Sequence, residues 1–358
     1  MKNLKILPSV IVILVAAMLL SGCAGGSLST NWSNATIAKD MIYISNQSGV
    51  FAVNLSDGSL LKRFPEKAEA AKSFYAAPAV AADGTIVVGD FTNSIYGINP
   101  DTMSQKWVFS EAHGRFVGSP IITGSTVLAP CSDHYLYALN LEGKLLWKYK
   151  TGEPLWASPV SDGKWVYQPG IDRNLHQIDL ATGKKGWITS LGGAAVSSPL
   201  LTKDGMIYLG TTSGVLLSID ASSGKILHQY NTRKAIWTTP VLKDEILYFG
   251  TQAGSVIAVD TRRWSEAPLW EKDLGSAVIG SGALLSDGVL FPTQAGQLVV
   301  LGLTNGEKVR SWSFNPNLYA NPLVNGDKVV VISTGEKVMM AFDSTGKELW
   351  SAAFVHPK

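Results

Sequence analysis

Charge is scarce in this chain. Charged residues make up 16% of its 358 positions, where a soluble domain averages about a quarter. Surface helices draw heavily on Glu, Lys and Arg, so the shortage argues against them. No stretch keeps an apolar 3.6-residue period over three turns. Cysteine is nearly missing, with Cys23 and Cys131 alone, which excludes a disulfide framework. No apolar run reaches the roughly 20 residues that a spanning helix needs; residues 6–20 give 15. There is no Lys/Arg cluster either, and so no electrostatic footprint for nucleic acid. What the chain has instead is 35 Gly, 11 Trp and many short runs of Val, Leu and Ile. That composition suits strands joined by tight turns.

The N-terminus reads as an address. Lys2 and Lys5 precede the apolar run, and small residues follow at 21–22, the order of an export signal. A membrane-spanning anchor is the alternative reading. Leu20-Ser21-Gly22-Cys23 resembles the bacterial lipobox, which implies a signal peptide over 1–22 and a lipidated Cys23 heading a short linker over 23–30. Ala24, in place of an aspartate, implies an outer-membrane address if the cell has two membranes. Loss of the leader brings the net charge from +2 to zero, with 28 residues of each sign. Cys131 is then alone in an oxidising compartment.

Residues 31–358 read as one repeated unit. A large apolar residue, two small ones and then proline occur at Tyr75–Pro78, Val117–Pro120, Trp156–Pro159, Val196–Pro199, Trp237–Pro240 and Tyr319–Pro322. Trp32–Ala35 and Ile279–Gly282 are variants without the proline. The intervals between the eight copies are 43, 42, 39, 40, 41, 42 and 40 residues, and even spacing near 40 marks a repeat architecture. Each copy carries four apolar runs of about 4–6 residues separated by Gly, Asp and Asn, which are hairpin signals. The reading is all-β: an eight-bladed β-propeller of four-stranded antiparallel blades. Trp32–Ile44 aligns without gaps on Trp237–Phe249, so the chain begins in phase with its later blades.

The turn between the third and fourth strands narrows the family. Asp179-Leu180-Ala181-Thr182-Gly183-Lys184-Lys185-Gly186-Trp187 has the form D-x-x-T-G-K-x-x-W, and shorter versions occur at Asn140–Trp147 and Asp343–Trp350. This resembles the tryptophan-docking repeat of the pyrroloquinoline quinone (PQQ) type propellers, quinoprotein dehydrogenase-like in fold. That family includes quinoprotein alcohol dehydrogenases and the outer-membrane assembly lipoprotein BamB, to which this chain is closest in kind. The resemblance implies that the aromatic ending each motif lies between adjacent blades. Phe64, Trp107, Trp147, Trp187, His228, Trp270, Trp312 and Trp350 are assigned to that docking position.

The two kinds of relative imply different functions. The quinoprotein enzymes use a pair of adjacent cysteines and a calcium ion held by carboxylate and amide oxygens, and neither pattern is found here. Ser132-Asp133-His134 are neighbours on one loop and cannot converge as a triad does. His113, His176 and His228 fall in different blades, which indicates no metal site. Cys131 aligns with Thr211 and Thr251 at a strand end, the place of a small buried filler. No catalytic, cofactor-binding or metal-binding residue is therefore assigned. The expectation is a monomeric, non-enzymatic, membrane-anchored scaffold facing the periplasm or the exterior. By resemblance its partner is the outer-membrane barrel assembly machinery. In a single-membrane bacterium it is a surface-anchored binding protein, and a quinoprotein-type oxidoreductase holding PQQ with calcium is the other alternative. The candidate binding face gathers Trp32, Tyr75, Trp156, Trp237 and Tyr319. Arg115, Asp133, His134, Asp172, Arg173, Arg233 and Lys234 form its polar rim.

Overall fold

A computed structural model describes residues 34–69, 71–264, 267–314, 317–334 and 337–353. Within them lie eight four-stranded antiparallel sheets and no helix. The blades span 35–64, 79–109, 121–150, 160–190, 200–231, 241–273, 283–313 and 323–352, and in each sheet the strands follow chain order. First strands of neighbouring blades approach one another, including 35–38 against 323–325. The first strands therefore line the hub and the fourth strands form the perimeter.

The burial pattern explains why these strands read as unbroken apolar runs. In blade 5 the second strand Met206–Gly210 and the third strand Val215–Asp220 are buried along nearly their whole length. A strand with one wet face alternates; a strand covered on both faces does not. The cover comes from the adjacent blades. Each of eight apolar clusters joins two neighbours: Val87 and Ile95 of blade 2 meet Val127 and Leu139 of blade 3, and Leu128 and Leu136 meet Val166 and Ile178 of blade 4.

Ring closure, which the sequence left open, uses no shared strand among the described residues. The last cluster packs Ile42, Ile44 and Phe51 of blade 1 against Val330, Ile332 and Met339 of blade 8. Trp350 Nε1 donates to Leu55 O at 3.1 Å, and Lys328 Nζ donates to the same oxygen at 3.4 Å. Among the described residues, packed side chains and their hydrogen bonds to Leu55 O hold the seam.

Turn chemistry follows the sequence closely. Asn140 Oδ1 accepts from the backbone N–H groups of Glu142 and Lys144 at 3.1 and 2.8 Å, while Gly143 supplies the required φ of 78°. In blade 2, Met103 takes that place at φ 52°. A side chain there costs about 1–2 kcal/mol, partly offset because Met103 is buried beside Phe64.

Candidate protein-binding face

The small residues before each proline have a structural task at the hub. Ala77 N donates to Ser119 Oγ at 2.8 Å, Thr239 N to Ser281 Oγ at 2.8 Å, and Ser281 N to Asn321 Oδ1 at 2.7 Å. Each bond joins one blade to the next across about 40 residues of chain. The position before it must also be small: a Cβ on Gly118 would lie 2.7 Å from Trp156 O. The repeated tetrapeptide is thus a hydrogen-bonded hoop as well as a strand start.

The segment leading into each blade and the second-to-third-strand loop of the preceding blade share one face of the ring. Backbone bonds fix this: Phe116 N to Asp90 O at 3.1 Å, Leu155 N to Cys131 O at 3.2 Å, Ile236 N to Thr211 O at 3.0 Å and Val278 N to Thr251 O at 3.0 Å. Tyr75, Trp156, Trp237 and Tyr319 lie on these segments and are all half-buried. Tyr75 packs on Phe91 at 4.5 Å between ring centroids, and the Arg115 guanidinium sits 5.7 Å over the same Phe91 ring. Tyr319 Oη accepts from Asn317 Nδ2 at 2.8 Å. Trp32 and Cys23 lie outside the described residues.

The polar rim divides into two kinds of residue. Arg115, Arg173 and Arg233 are exposed. The two aspartates instead turn inward as brackets between loops. Asp133 Oδ2 accepts from His113 N at 2.9 Å and from Tyr137 Oη at 2.7 Å. Asp172 has a side chain 8% exposed and holds His176 Nε2 at 2.9 Å. It also accepts from Gly152 N of the preceding connection at 3.3 Å, while Tyr149 Oη lies 3.2 Å from His176 Nδ1. Burial raises the Asp172 carboxyl pKa, but the His176 bond and charge, with the backbone donor, hold it net below its ordinary value. Sequence reasoning missed this Tyr149–His176–Asp172 chain because its members come from two blades. Lys234 is tied to Glu271 at 2.7 Å.

The Ser132-Asp133-His134 run does not converge. Ser132 Oγ accepts from Arg115 N at 2.7 Å, and the His134 ring meets Gly152 O at 3.1 Å. The tip position is left-handed in every loop from blade 2 to blade 7. Gly214, Gly254 and Gly296 fill it in blades 5–7, but Asn93, His134 and Arg173 fill it in blades 2–4. Cys131 is fully buried, and burial pushes its thiol far above the ordinary value, the opposite of what a nucleophile needs.

The docking layer lies between blades towards the perimeter. Trp147 Nε1 donates to Leu180 O at 2.9 Å, Trp187 to Ala221 O at 3.1 Å and Trp270 to Leu303 O at 3.0 Å. Each ring covers the turn glycine of the following blade: a Cβ on Gly183 would lie 2.7 Å from Trp147, and one on Gly143 2.5 Å from Trp107. Two assignments are displaced by the strand register. Opposite Ala52 and Val300, the places matching Ala138 opposite Trp147, stand Lys62 and Arg310. Phe64 and Trp312 come two residues later, on the same strand face because side chains repeat every second residue. Phe64 packs on Tyr96 at 5.4 Å; Trp312 still covers Gly346. In blade 5 His228 stands at the docking position opposite Ser218 and stacks on Trp264 at 5.2 Å with planes 6° apart. The longer turn at 261–268 was the signal: it lends blade 6's own tryptophan to fill the space the smaller imidazole leaves.

Comparison with known proteins fits this geometry. The family model described as outer membrane protein assembly factor BamB matches residues 24–158, 142–268 and 264–357. The chain belongs to this family. It is 23% identical over 320 residues to the BamB of Moranella endobia, covering 85% of this chain and 70% of that one. A quinoprotein alcohol dehydrogenase, PedE of Pseudomonas putida, is 36% identical over 74 residues, 20% of this chain and 12% of the enzyme. Among solved structures, BamB from Moraxella catarrhalis superposes with a TM-score of 0.72 at 16% identity, over 90% of this chain and 94% of that one. A europium-containing methanol dehydrogenase gives 0.69 at 11% identity, over 84% and 82%. The protein is a BamB-like, PQQ-type propeller, and its likeness to the methanol dehydrogenase structure is one of fold.

Proposed function

We propose that this protein is a lipid-anchored, non-enzymatic scaffold of the cell envelope whose half-buried aromatic face binds a protein partner in outer-membrane barrel assembly. The observation that carries the reading is the family match over residues 24–357. The face supports it, because rigid aromatics beside exposed arginines bind peptide segments at small entropic cost. Cys23 supplies the tether in this reading, with acyl chains holding the ring at the membrane.

This reading assigns the chain no PQQ and no calcium, which the lining of the hub supports. Where blades 3–5 meet at the hub, the surface is lined by Ile121, Ile122, Val160, Leu200 and Leu201, with Thr123 and Ser161 as its hydroxyls. Among the described residues no group of three or more His, Cys, Asp or Glu is placed to hold a metal ion. Affinity capture of the full chain from membranes tests the proposal. Trp156→Ala with Trp237→Ala is expected to lose a barrel-assembly partner that the unaltered chain recovers, with circular dichroism showing that the variant remains folded. Equal recovery by both would remove the aromatic face from the account.

A further inference from the structure

Large exposed aliphatic residues are confined to the perimeter, and every blade contributes at least one: Leu61, Val108, Leu146, Ile188, Leu227, Leu269, Val309 and Leu349 are 41–52% exposed. They sit on or beside the fourth strands, whose outward edges pair with nothing in the sheets described. Charge is spread less evenly. The outer strands of blades 6 and 8 carry Glu271, Asp273 and Glu348. Those of blades 1, 2 and 7 carry bases and no acid, but Arg63 donates to Ser48 O, Lys106 pairs with Asp83 and Arg310 with Asp287; those of blades 3 and 4, Leu145–Lys150 and Lys185–Ser190, carry Lys148, Lys150 and Lys185 and no acid. Lys144 and Lys184 precede them directly, and all five lysines are exposed. None of the five is in a salt bridge among the described residues; Lys148 lies over the Tyr135 ring at 4.8 Å. The acids nearest in sequence lie off these strands: Glu142 in the preceding turn, Glu153 three residues after Lys150, and Asp179 at the end of the third strand of blade 4.

We propose that the outer edges of blades 3 and 4 rest on an anionic lipid surface, with Leu145, Leu146 and Ile188 entering the headgroup layer and the lysines meeting its charge. Two neighbouring blades give a shallow patch, where a longer arc of the ring would curve away from a plane. The residue types favour lipid over protein. Protein interfaces are depleted in Lys and built on Tyr, Trp and Arg anchors, whereas aliphatics flanked by flexible lysines suit a headgroup layer. Lysines on an edge strand also discourage pairing with another strand. A lipidated Cys23 would tether the chain to a bilayer by a separate anchor. That tether rests on the proposal above; the patch does not.

The test is lysine labelling of the full chain reconstituted in vesicles, read peptide by peptide by mass spectrometry. In vesicles containing phosphatidylglycerol, Lys148, Lys150 and Lys185 are expected to be protected relative to pure phosphatidylcholine, while Lys203 and Lys243 stay reactive in both. Protection is expected to vanish near 1 M salt, where the screening length falls to about 3 Å. Lys148→Gln with Lys150→Gln is expected to weaken association roughly 25-fold, about fivefold per lysine. Leu146→Glu serves as a second variant, and melting temperature reports folding for both. Equal labelling in the two lipids, or protection that follows protein concentration, as for a second copy or an acidic partner, would overturn the proposal. The mass of the Cys23 peptide reports acylation separately in the same sample.

Discussion

Trp350→Ala probes the seam where the ring closes. Trp350 is 8% exposed, donates to Leu55 O and covers Gly58 across the gap between the last blade and the first. Burying an aromatic of about 200 Å² at about 25 cal/mol/Å² is worth about 5 kcal/mol as an upper figure. Large-to-small changes of this kind cost about 3–5 kcal/mol with the cavity included. Trp147→Ala, in an equivalent setting between blades 3 and 4, is expected to cost a similar amount by urea unfolding. The two should differ in where amides open. No strand among the described residues crosses the seam, so Trp350→Ala is expected to speed hydrogen exchange in blades 1 and 8 together, while Trp147→Ala loosens its surroundings within an otherwise closed ring. Trp350→Phe, which keeps a ring in the seam but loses the hydrogen bond and part of the buried area, should cost about 2 kcal/mol. A Trp350→Ala cost under about 1 kcal/mol, or matching exchange patterns in the two variants, would refute closure by side-chain packing.

Trp264→Ala should destabilise the blade 5–6 junction by about 3 kcal/mol; His228→Trp should be harmful beside Trp264 yet tolerated with Trp264→Gly, a coupling that a double-mutant cycle of melting temperatures measures. Ser281→Ala leaves Thr239 N without its acceptor at the hub and should cost about 1–3 kcal/mol in the same assay. The Asp172 pKa is lowered on folding, so its stabilisation is present above the unfolded carboxylate value near 3.9 and is lost as pH falls below it. Asp172→Asn should therefore flatten the acid limb of a stability–pH curve, and an unchanged limb would count against the His176 pair. Cys131 should resist a maleimide at neutral pH in the native protein and react once it is unfolded; rapid native labelling would contradict its burial.

Much of the ring was legible in the chain because its signals are local. The near-40-residue period, the proline after two small residues and the D-x-x-T-G-K-x-x-W turn are each written within a few positions. Each reports a backbone geometry that sequence neighbours impose, so blade number, strand order and family followed. The candidate face was legible in part. Its aromatics sit at one place in the repeat, and the shared face follows from strand order. What Asp133 and Asp172 do was not legible, because their partners come from other loops and, for Asp172, from the preceding blade.

Register was the harder quantity. Phe64 and Trp312 stand two residues beyond the position that Trp147 occupies, and a shift of two leaves the buried pattern unchanged. Tertiary structure also decided the exchange of Trp264 for a docking tryptophan, the closure without a shared strand among the described residues and the adjacency of the lysine-bearing outer strands of blades 3 and 4. Each of these depends on residues far apart in sequence meeting across a blade boundary. Local propensity carries no information about such meetings, whereas close packing between blades settles them.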